Sequence, residues 1–209
     1  MRRRQFFSGL LAGISLMRSS YVVADSSSFS GDPFSLGIAS GDATSNSVVL
    51  WTRVAPEPLQ PDGGVGSYAV PVRWEVATDP AMRRLVREGE LLATPELAHS
   101  VHVDLQGLEA GRDYWYRFQL GRHRTEIGHT NTLPDGLNSS VRFVTASCQN
   151  YTHGYFLAYK HMVNDRPDFV IHLGDYIYDT SYGETFRRHD SEQPPRTLTD
   201  YRLRHVLYK

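Results

Sequence analysis

The chain has 209 residues, of which 40% are hydrophobic and 22% charged, with a formal net charge of −1. That size admits one large domain or two small ones, and that apolar share is ordinary for a globular protein with a buried core. Neither a long basic run nor an acidic tail is present, so composition gives no support for nucleic-acid binding, and the lone Cys148 excludes an intramolecular disulfide.

The N-terminus reads MRRRQFFSGLLAGISLMRSSYVVADSSS. A cationic start precedes an apolar segment, Phe6 to Met17, shorter than the roughly 20 residues that span a bilayer. No transmembrane segment is therefore expected in the mature chain. Small residues at Val22 to Ala24 suit cleavage after Ala24, which makes residues 1–24 a signal peptide. Arg3 and Arg4, followed by Gln5-Phe6-Phe7, resemble the twin-arginine export signal. The alternative is an ordinary secretory signal with a basic start, and Arg18 cuts the apolar core short. Either route places the product in the periplasm or outside the cell; the first makes the twin-arginine translocation machinery a partner. That machinery carries folded proteins, often with a metal already installed.

Residues 25–33 form a linker, serine-rich from Ser26 to Ser30. Residues 34–135 then show short runs of alternating apolar and polar side chains: Ser47–Val54, Val72–Thr78, Ser100–Leu105 and Asp113–Leu120. This is the period of half-buried strands. Gly41-Asp42, Asp62-Gly63-Gly64 and Ala110-Gly111-Arg112 punctuate them as turns. The expected fold here is an all-β sandwich. The stretch LQGLEAGRDYWYRFQL resembles fibronectin type III and immunoglobulin-like modules, in which a tyrosine hydroxyl locks a corner. Trp51, Trp74 and Trp115 read as core or sheet-face residues rather than a ligand platform.

After Pro134-Asp135-Gly136 the pattern changes, and residues 140–209 read as a second domain segment. Val141–Ser147 is a mostly apolar strand, His153–Asp165 carries a helical period, Pro167 closes it, and Asp168–Gly174 is a second strand. A β-α-β unit of this kind predicts parallel strands and a right-handed crossover. From Thr180 the chain turns polar, with Arg187, Arg188, Arg196, Arg202 and Arg204 and no clear strand. Arg187, Arg188 and Arg196 either contact a phosphate or lie on a solvated loop.

Ligands of open parallel sheets sit beyond the carboxyl ends of the strands. The two strands end in Ser147-Cys148-Gln149-Asn150 and in Gly174-Asp175-Tyr176-Ile177-Tyr178-Asp179, so Cys148 and Asp175 should be neighbours on one rim. Each has a plain alternative: a small packed cysteine, a turn-forming aspartate, a packing tyrosine at 178. Taken together, Asp175 and Tyr178 three residues apart can present both oxygens to one side. The histidines His153, His161, His172, His189 and His205 fit no two-histidine zinc spacing; His161 and His172 read as packing or solvent-facing.

TASCQNYTHGYF, DFVIHLGDYIYD and the earlier FSLGIASGDATSNSVVLWTRV closely resemble the PhoD-type alkaline phosphatases, also called phosphodiesterase D, within the calcineurin-like metallophosphoesterases. The resemblance covers nearly the whole chain. It implies the first β-α-β unit of an αββα metallophosphoesterase domain behind the β-sandwich. It also implies that Cys148, Asp175 and Tyr178 bind Fe3+, with Asp175 reaching toward a neighbouring Ca2+, and that the substrate is a phosphomonoester or phosphodiester. The family's Trp-Asp-Asp-His-Glu segment and later metal ligands are not found after Tyr178. The expectation is therefore an N-terminal portion of a longer enzyme, inactive alone. The competing expectation is a non-catalytic exported β-sandwich module with a vestigial catalytic segment.

Overall fold

A computed structural model describes residues 29, 31–136, 140–189, 191 and 193–209. The expected signal peptide, with Arg3 and Arg4, lies outside the described residues, as does most of the linker.

Strands β1 (Ile38–Gly41), β2 (Ser47–Arg53), β3 (Val70–Ala77), β4 (Leu85–Ala93), β5 (Ser100–Gln106), β6 (Asp113–Leu120), β7 (His123–Arg124) and β8 (Gly128–Asn131) make the first part mainly β. They form two antiparallel sheets. One has the order β1-β2-β5; the other has the order β4-β3-β6-β7, with β8 also paired to β6. The alternation seen in sequence is realised: β6 buries Tyr114, Tyr116, Phe118 and Leu120 and leaves the residues between them more open. Val48 and Leu50 from β2, Val101 and Val103 from β5, and Val72 and Phe118 from the other sheet share one cluster. Full burial of each such side chain stabilises by roughly 1.5–3 kcal/mol.

Two details tie sequence to packing. The hydroxyl of Tyr114 accepts a hydrogen bond from the Glu109 amide at 2.9 Å, so the first tyrosine of the Tyr-x-Tyr strand closes the corner. Strand β4 shows no alternation, because nearly all its residues are exposed. Its Gly89 is required by packing: a Cβ there would lie 2.6 Å from the Trp74 ring. Trp74 leans on the main core and Trp51 on a smaller cluster of Leu36, Ala55 and Val206. Trp115 stays half-buried beside His129, 5.3 Å between ring centroids.

The second part holds β9 (Phe143–Ala146), α1 (Leu157–Asp165), β10 (Phe169–His172) and α2 (Leu198–Val206). β9 and β10 pair in parallel, with Phe143 opposite Phe169, as the β-α-β reading requires. The helix between them starts later than the period suggested. Tyr151–His153 is instead a short 3-10 turn, and Phe156 at φ 58° sits in the left-handed region at the helix entry. Helix α2 was not legible as a strand because it is none; Thr197 caps it reciprocally with Asp200. It docks on the β-rich part through Val206, and Arg202 donates to the Glu96 carbonyl at 2.7 Å.

Candidate metal centre

The two strands end side by side, and their pairing continues past them. Leu173 N–H donates to the Ala146 carbonyl at 2.8 Å, Cys148 N–H to that of Gly174 at 3.2 Å, and Gln149 N–H to that of Asp175 at 3.2 Å. Backbone pairing therefore brings residues 148 and 175 together although 27 positions separate them. Both then leave the extended region: Cys148 has φ 55° and Asp175 φ 53°. A left-handed conformation at a residue with a Cβ costs about 1–3 kcal/mol and clusters at functional sites.

The twist throws the side chains to one side. Cys148 Sγ lies 3.6 Å from Asp175 Oδ2, and the Tyr178 hydroxyl donates to the same oxygen at 3.2 Å. The thiol is exposed, so the reading of Cys148 as an inert packed residue does not hold. Burial, followed by the hydrogen bonds to Cys148 and Asp175, holds the Tyr178 phenol protonated well above the ordinary tyrosine range. A cation at this point would reverse that balance, because thiolate, carboxylate and phenolate all become favoured next to positive charge. One carboxylate oxygen shared by a thiol and a phenol is a donor set that fits a metal ion. Among the described residues no three His, Cys, Asp or Glu side chains gather in a way that could hold a metal ion.

Other groups take structural places. Buried Gln149 donates through its side chain to the Tyr176 carbonyl at 2.9 Å and accepts from the Tyr159 hydroxyl. Asn150 caps the 3-10 turn, accepting from Thr152 N–H at 3.0 Å. The Arg187 guanidinium lies 3.8 Å from the Tyr151 ring centroid and also donates to the Gly154 carbonyl, while Arg188 and Arg196 are exposed. His161 is exposed, and His172 lies edge-on to Tyr176 at 5.0 Å.

Sequence reading missed Gln149, Arg204 and Tyr208, which support this rim. The available signal was the Thr197-x-x-Asp200 capping pattern, which announces a helix and hence a structured rather than solvated tail.

The sequence profile of the PhoD-like phosphatase N-terminal domain matches residues 19–134, and that of the PhoD-like phosphatase matches residues 143–209. The chain belongs to the PhoD-like phosphatase family. Among individual relatives, it is 48% identical over 211 residues to alkaline phosphatase D of Bacillus subtilis (strain 168), covering 96% of this chain and 36% of that protein. The solved structure of PhoD superposes with a TM-score of 0.82 at 51% identity, covering 86% of this chain and 36% of that one. The chain thus spans about a third of the length of the relatives it matches.

Proposed function

We propose that the chain is the N-terminal portion of an exported, metal-dependent phosphoric ester hydrolase acting on phosphomonoesters or phosphodiesters. The reading comprises a fibronectin- or immunoglobulin-like sandwich followed by the first β-α-β unit of a calcineurin-like catalytic domain, with export through Arg3 and Arg4 on the twin-arginine route. Cys148, Asp175 and Tyr178 would hold Fe3+, and Asp175 would also serve Ca2+. The observation that carries it is the meeting of thiol, carboxylate and phenol on Asp175 Oδ2.

When bound, the cations supply charge neutralisation at the phosphate and a more acidic bound water. The chain's own residues do the rest. Asp175 presents its carboxylate from a turn whose backbone is pinned to Gln149. Metal ligands bind in their deprotonated forms, so metal uptake should weaken as pH falls.

The reading of a non-catalytic exported module has one observation in its favour: α1 buries no side chain. Metal content decides between them. Stoichiometric iron and calcium in the purified 209-residue chain, read by mass spectrometry, would refute the module reading. An enzyme that includes this chain should release phosphate from an aryl phosphate at alkaline pH, lose that activity to a chelator, and lose it in Cys148→Ala. A metal-free chain and an active Cys148→Ala enzyme would remove the assignment.

A further inference from the structure

We propose that Tyr208 and Arg204 of α2 and its C-terminal turn are positioning residues that set Tyr178 on the metal centre. The inference rests on the metal reading above and goes one layer outward from it. The Tyr208 hydroxyl accepts from two backbone amides at once: Tyr151 N–H at 3.1 Å and Tyr178 N–H at 3.2 Å. One belongs to the loop after β9, which carries Cys148; the other to the loop after β10, which carries Asp175 and Tyr178. A single oxygen therefore staples the two loops whose side chains must converge.

Arg204 holds the other side of the same residue. Its Nη1 donates to the carbonyls of Tyr178 at 2.8 Å and Asp179 at 2.7 Å, and its Nη2 to that of Ser191 at 3.2 Å. Tyr178 thus has both its N–H and its C=O fixed by groups from the C-terminal end of the chain. Arg204 is 1% exposed and Tyr208 is 8% exposed. Burying a guanidinium is costly unless its donors are used, and here Nη1 is used on Tyr178 and its neighbour Asp179 and Nη2 on Ser191. Tyr208 is itself held by aromatic contacts to Phe156, Tyr151 and Tyr176, with ring centroids 5.8, 5.7 and 6.1 Å away. Partners of this kind, which orient a ligand without touching the ion, are worth about 10–100-fold in metal affinity.

The test uses ferric ion, supplied as its nitrilotriacetate complex, on the 209-residue chain. It reads the visible phenolate-to-iron absorption band, the ferric affinity, and hydrogen exchange at the Tyr178 amide. Tyr178→Phe should abolish the band. Tyr208→Phe should shift or weaken it, lower ferric affinity about 10–100-fold, and speed exchange at Tyr178, with the metal-free chain keeping its far-UV circular dichroism. If Tyr208→Phe loses the fold, Arg204→Lys is read in its place. A wild-type band, affinity and exchange rate in the Tyr208 or Arg204 variant, with the band lost in Tyr178→Phe, overturns the positioning role and leaves the metal reading standing. Unchanged ferric binding and spectrum in Tyr178→Phe overturns both.

Discussion

The β-rich part and the stretch from residue 140 onward solve the burial problem differently. In the first, Leu50, Val70, Val72, Val76 and Phe118 are wholly buried between two sheets. In the second, Phe143, Val170 and Leu173 are 53%, 50% and 67% exposed, and Val206 and Tyr208 are among the apolar side chains that become buried. One part carries its own core. The other carries the candidate site on a two-stranded sheet whose faces are open, held by backbone pairing, an aromatic cluster and α2. Core and candidate site thus lie on separate stretches of chain, and substitutions should have correspondingly separate effects.

The largest contrast should come from paired truncations. Phe118→Ala removes a fully buried ring and should destabilise by about 3–5 kcal/mol. Ile171→Ala, at a site 39% exposed, should cost under about 1.5 kcal/mol by comparison; urea unfolding of both variants reads the difference. Equal losses would break the division. Tyr114→Phe deletes the acceptor of the Glu109 amide and should cost about 1–1.5 kcal/mol in the same measurement.

Thr197→Ala removes the reciprocal cap of α2, for about 0.5–1 kcal/mol of an exposed cap. Its effect should appear as faster hydrogen exchange in α2 and around Tyr178, and hardly at all in β6.

The smallest effect sharpens the β-rich side. His99 is 1% exposed, its Nε2 bonded to the Tyr68 carbonyl at 2.9 Å, and burial lowers its pKa from 6.5, with Arg53 adding to the shift. Between the two pKa values the unfolded chain binds a proton that the folded chain does not, so stability rises with pH there. The contribution is full above about 6.5 and is lost as pH falls from that value toward the folded pKa. Melting temperature should decline over that interval, and His99→Gln should flatten the decline.

Much of the β-rich part was legible because alternation is a direct image of one buried face. Strands β2, β3, β5 and β6 sit where the alternation fell, within two residues at either end. Strand β4 escaped because an exposed edge imposes no alternation, and β1, β7 and β8 are too short to show a period. Parallel pairing of β9 and β10 was foreseeable from the intervening helix, and with it the nearness of Cys148 to Asp175. The left-handed turns at both residues were not, since neither is glycine and nothing local announces φ near 55°. Nor was the staple through Tyr208, whose partners lie 57 and 30 residues away. Contacts at that separation leave no periodic mark.

X-ray absorption at the iron edge tests the metal assignment most directly. Iron added to the chain should show one sulfur among oxygen scatterers in its first shell, and Cys148→Ser should remove that sulfur while iron remains bound. A first shell with no sulfur, or one that Cys148→Ser leaves unchanged, would contradict a centre built on Cys148, Asp175 and Tyr178.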